Sequence, residues 1–127
     1  MVETAFRAWN GGDRDGWLAL SHPDVEWSSG ILRQVEGGNA VHRGRAEVGQ
    51  FWDDWHALWD LDIEVSEFRD LGDTVLVLAQ LRTRGKSSGA EVERSIGYTF
   101  EFEDGLVRRA RAYPSPEEAL EAAGLSE

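Results

Sequence analysis

The chain contains no cysteine. Disulfides, thiolate nucleophiles and cysteine-ligated zinc or iron–sulfur sites are excluded with it. Lysine is almost missing: Lys86 stands alone beside the arginines. No apolar run approaches the ~18 residues that cross a bilayer, so no membrane partner is expected. The opening Met1-Val2-Glu3-Thr4-Ala5 lacks the basic flank and apolar stretch of a secretory leader, which points to a cytoplasmic protein. Positive charge is scarce overall, with 13 basic against 24 acidic residues and a formal net charge of −11. Such a field repels phosphate backbones, so nucleic acid is not an expected partner.

What is present fits one domain spanning residues 1–127, long enough for a single core. Val2, Ala5, Phe6 and Trp9 recur at helical spacing and predict a first helix over Val2–Trp9. Gly11 and Gly12 stop it. Asp13 then caps a short second helix carrying Trp17, Leu18 and Leu20. Pro23 is read as ending that helix, with a strand from Val25 to Ser28. Ser28 to Arg43 is rich in Gly, Ser and Asn and reads as a lid or rim, with a short strand at Ile31–Val35. Arg45–Trp59 is the clearest helix, because Val48, Phe51, Trp52, Trp55, Leu58 and Trp59 share one face.

The second half is strand-rich. Ile63–Phe68, Thr74–Arg84, Ala90–Glu103 and Leu106–Tyr113 are separated by turn signals, ending with Asp104-Gly105. Adjacent hairpins make a meander, so the class is α+β with a largely antiparallel sheet. Ser115 and Pro116 open a last helix.

Tyr98, Phe100 and Phe102 must share one face of their strand. Which residues of the last strand join them depends on Asp104-Gly105. A two-residue turn sets Phe100 opposite Arg109. A three-residue turn with Gly105 as a bulge shifts the pairing and brings Ala110 and Ala112 inside. The bulge is the expectation, because the alternative buries Arg109 and Arg111 beside aromatic rings.

The order of elements resembles the nuclear transport factor 2-like superfamily, which includes ketosteroid isomerase and the SnoaL-like polyketide cyclases. The resemblance covers nearly the whole chain. It rests on Asn10-Gly11-Gly12-Asp13, Pro23-Asp24-Val25-Glu26-Trp27, His42-Arg43-Gly44-Arg45, Phe100-Glu101-Phe102-Glu103-Asp104-Gly105 and the tail Glu118 to Leu125. It implies a curved, largely antiparallel sheet wrapped around helices as a cone, a pocket inside, and commonly a homodimer through the sheet face. It also implies isomerase, cyclase, dehydratase or hydrolase chemistry without a cofactor. The catalytic residues do not carry over. Trp27 falls where the isomerase has its carboxylate base, and Ala5 where it has a donor tyrosine. Tyr98 replaces the protonated acid that completes that site. Ala112 and Phe100 fall where the cyclases carry an aspartate and a histidine.

Two classes of function therefore stand side by side. In one, Trp27, Trp52, Trp55, Tyr98 and Phe100 line a cavity for a small, mostly apolar molecule. If that site is catalytic, Tyr98 polarises a carbonyl and His42 moves the proton. In the other, tryptophans plug the hollow and the domain serves dimerisation or partner binding. His56 is expected to face water. The three histidines show no metal-ligand spacing, so neither metal nor cofactor is expected.

Overall fold

The computed structural model describes residues 2–29, 41–72 and 74–124. In chain order these form α1 (Val2–Gly11), α2 (Arg14–Ala19), β1 (Ser21–Ser29), β2 (Val41–Arg43) and α3 (Gly44–Leu58). Then follow β3 (Trp59–Asp70), β4 (Thr74–Gly85), β5 (Glu91–Glu103), β6 (Leu106–Tyr113) and α4 (Pro116–Ala122). The strand expected at Ile31–Val35 and most of the expected rim lie outside the described residues.

The strands make one sheet in the order β2-β1-β6-β5-β4-β3. The predicted meander β3 to β6 is antiparallel throughout. β1 then joins β6 in parallel and β2 pairs antiparallel with β1. The α+β class and the curled, largely antiparallel sheet follow the sequence reading.

Local chemistry explains the boundaries. The Asp13 side chain accepts from the Gly16 N–H at 3.0 Å and starts α2. That helix ends at Ala19, ahead of Pro23, which lies inside β1 and not at its approach. Proline is tolerated there because β1–β6 pairing is irregular between Ser21 and Glu26. The Arg45 guanidinium donates to the Ser21 carbonyl through Nε at 2.9 Å and fixes the start of α3 to the start of β1. Ser115 accepts from the Glu118 N–H at 3.3 Å and caps α4, as its position before Pro116 predicted.

The β5–β6 turn corrects one expectation and upholds its consequence. Asp104 and Gly105 have φ of 54° and 75°, the two positive values of a tight two-residue hairpin turn, and Glu103 pairs with Leu106. Gly105 is therefore not a bulge. The bulge lies further on: Phe102 pairs with Val107 and Glu101 with Arg109, leaving Arg108 as the extra residue. Its insertion sets Ala110 opposite Phe100 and Ala112 opposite Tyr98. Both alanines are buried, and Arg109 meets Glu101 at 3.6 Å on the outer face.

Helices α1, α2 and α3 cover the inner face of the sheet. Val48, Phe51 and Trp52 of α3 are buried there with Phe6 and Trp9 of α1 and Trp17 of α2. The outer face is covered in part by α4. A Cβ on Gly97 would collide with Ala119 of that helix, so glycine is what lets helix and sheet approach so closely.

Candidate functional site

The hollow follows from a small-residue strand set between two aromatic ones. Across the sheet, Trp27 of β1 pairs with Ala110 of β6, which pairs with Phe100 of β5. Tyr98 of β5 stands opposite Ala112 in the same way. β1 and β5 are therefore two strand spacings apart, about 10 Å, with only methyl groups between their rings. Phe6 and Trp9 from α1, Trp17 from α2 and Phe51 and Trp55 from α3 close the space from above. Leu61, Ile63 and Leu81 form its far side.

The space left measures ≈ 50 Å³. Pockets for drug-sized ligands run from about 300 Å³, so the rings fill most of the hollow. They touch one another throughout. Trp17 and Trp27 meet at 5.6 Å, Trp27 and Phe51 at 5.6 Å, and Trp27 and Tyr98 at 6.3 Å between centroids.

Among the described residues, Tyr98 is the only ionisable side chain lining the cavity. Burial raises its pKa above the ordinary phenol value, because the phenolate would lose its hydration. The hydroxyl therefore keeps its proton and can donate it in a hydrogen bond. Among the described residues four buried side-chain atoms have no hydrogen-bond partner: Trp9 Nε1, Trp27 Nε1, His42 Nε2 and Arg109 Nε. Two of them are indole donors on rings of the cavity wall.

Of the residues chosen from sequence, Trp27, Trp55, Tyr98 and Phe100 line the cavity. Trp52 does not. It is buried behind the wall, edge-on to Trp9 at 4.9 Å and stacked on His56 at 4.0 Å. His42 does not line the cavity either. It pairs with Trp27 across β1 and β2, and its ring lies 5.0 Å from Phe51. The strand of Tyr98 is three strand spacings away, about 14 Å, with Trp27 of β1 and the alanines of β6 in between. A proton relay joining His42 to a group held by Tyr98 is not assembled in this arrangement.

Other side chains also depart from the sequence reading. His56 does not face water. Its Nδ1 lies 3.0 Å from the Trp52 carbonyl and its Nε2 3.1 Å from the Trp9 carbonyl, bridging α3 and α1. Phe6 and Phe51 line the cavity without having been singled out for it, and Ala112 lines it as the expected inward register requires. Phe6 and Phe51 already sat on predicted apolar faces. The bulge that turns Ala112 inward lies at Arg108 and not at the expected Gly105. Among the described residues no cluster of three metal-ligating side chains occurs. No described helix is long and apolar enough to cross a membrane.

Residues 2–110 match the family model of the SnoaL-like domain. Among curated proteins none matches the chain. Solved structures resemble it throughout. A protein from Catenulispora acidiphila with a ketosteroid isomerase-like fold, in complex with trimethylamine, is 16% identical with a TM-score of 0.79, over 98% of this chain and 92% of that one. TerC, co-crystallised with polyporic acid, is 19% identical with a TM-score of 0.78, over 98% and 93% of the two chains. A Mycobacterium tuberculosis protein in complex with estradiol-17beta-hemisuccinate is 23% identical with a TM-score of 0.75, over 88% of each. At these identities the likeness establishes a shared fold.

Proposed function

The chain belongs to the SnoaL-like domain family, and from that premise we propose that it is a single binding domain for a small, mostly apolar organic molecule. The carrying observation is the cavity wall: eight of its thirteen described residues are aromatic and none carries a charge at neutral pH. Burying a flat apolar molecule there removes about 25 cal/mol of unfavourable hydration per Å² of surface. The structural neighbours that hold trimethylamine, polyporic acid or a steroid ester support a ligand role for the fold. An acidic chain without cysteines suits the cytoplasm.

Binding without turnover is the form of this function we favour. A base within reach is what isomerisation or hydrolysis requires. The described cavity offers the protonated Tyr98 and no carboxylate or histidine. The enzyme reading would need His42 to reach the substrate past Phe51.

Tryptophan fluorescence tests the proposal directly. Wall tryptophans will report quenching or a spectral shift when flat apolar compounds such as indane or a steroid are added. A broad panel producing no change would favour the second reading, a plugged module that binds partners. The small closed volume of ≈ 50 Å³ is the observation on that side.

A further inference from the structure

The two orphaned indoles are not equivalent. Trp9 is enclosed by other rings: Trp17, Phe51, Trp52 and His56 all lie within 5.9 Å between centroids. Trp27 also touches Trp17 and Phe51, at 5.6 Å each, but it rises from the sheet floor beside the alanine gap, with Tyr98 and Phe100 across it. The residue is 8% exposed and its Nε1 has no hydrogen-bond partner. An indole nitrogen can only donate. Edge-to-face contact with a neighbouring ring replaces a lost hydrogen bond only weakly.

An unmet donor therefore stands on a ring that lines the cavity beside the alanine gap. Tyr98, kept protonated by burial, offers a second donor on the opposite wall. The described lining supplies no charged group to neutralise an ion.

Resting on the ligand reading above, we infer that Trp27 is the specificity-determining donor of this cavity. When the rings part, its N–H bonds to an acceptor atom on the ligand, so the site favours neutral flat molecules bearing a carbonyl or similar acceptor. A ligand can shift an equilibrium only by its differential affinity for the two states. An acceptor supplies that difference, because the donor it satisfies is unpaired in the closed state and paired in the open one.

The test uses indane and 1-indanone, one bicyclic skeleton without and with a carbonyl, titrated into the full chain and its Trp27→Phe variant by calorimetry. The ketone is better hydrated, so the informative quantity is the change in the affinity ratio between proteins. Trp27→Phe is expected to weaken 1-indanone relative to indane by about tenfold or more. An unchanged ratio, with both compounds still binding, overturns the inference and leaves the cavity reading intact. Failure of both compounds to bind the natural chain removes the cavity reading itself. A variant that does not fold is bypassed by nitrogen-15 spectra of the natural chain, which has six indole N–H groups. The Trp27 indole proton should move downfield with 1-indanone and not with indane, and its failure to move also overturns the inference.

Discussion

The side-chain amide of Asn10 takes the place of a neighbouring strand for Ile63. Its Nδ2 donates to the Ile63 carbonyl at 2.9 Å, and its Oδ1 accepts from the Ile63 N–H at 2.8 Å. β3 is an edge strand, so these two groups would otherwise lack a protein partner. The pairing ties the end of α1 to the wall of the cavity. Asn10→Ala breaks both bonds and should lower stability by about 1–3 kcal/mol, slightly offset by alanine's better helix propensity. Urea unfolding measures it; a midpoint equal to that of the natural chain would deny the clasp any energetic role.

Ala112 tests the origin of the hollow. Ala112→Val adds two methyl groups to the gap between β1 and β5. Extra burial and crowding nearly cancel, so stability should change by no more than about 1 kcal/mol. Affinity for any cavity ligand should fall by about tenfold or more. Unaltered binding with unaltered folding would place the ligand elsewhere.

Tyr98 gives the fold an alkaline limit. Its pKa is higher in the folded chain than the ordinary value of 10.0. The native state thus holds a proton that the unfolded chain releases. The associated stability is complete below the unfolded value and declines as pH rises beyond it, by up to about 1.4 kcal/mol per pH unit. Denaturation between about pH 9 and about pH 11 should show that decline in the natural chain and a shallower one in Tyr98→Phe. Parallel curves would contradict the assignment.

His56 offers a separable structural test. Replacement by Phe keeps an aromatic ring on Trp52 and removes both nitrogens facing the Trp9 and Trp52 carbonyls. The expected loss is about 1 kcal/mol in thermal or chemical denaturation. A loss several times larger would mean that the histidine bears more than a single net hydrogen bond.

The sequence made the fold legible where one local rule governed each step. Asp13 and Ser115 announced helix starts, and alternation at Tyr98, Phe100 and Phe102 announced an inward face. Asp104-Gly105 announced a turn. The site was harder to read, because its hollow depends on register. Arg108 carries no local sign of being an extra residue, yet it decides that Ala110 and Ala112 face the helices. Asn10 stood out only as part of the Asn10-Gly11-Gly12-Asp13 motif, and its bonding role depends on Ile63, distant in the chain. His56 looked solvent-facing because α1 was not yet placed over α3. Trp52 shared an apolar face with Trp55, but a helix face is wider than a cavity wall.

Gly97 leads to the question of assembly. Its missing side chain allows Ala119 to rest on the sheet, and α4 thereby occupies the side of β5 turned away from the tryptophans. A second molecule docking on this face would meet α4 wherever the helix lies over the strands. Removing residues from Pro116 onward would uncover the sheet around Gly97 and Leu78, exchanging a self-shielded surface for an adhesive one.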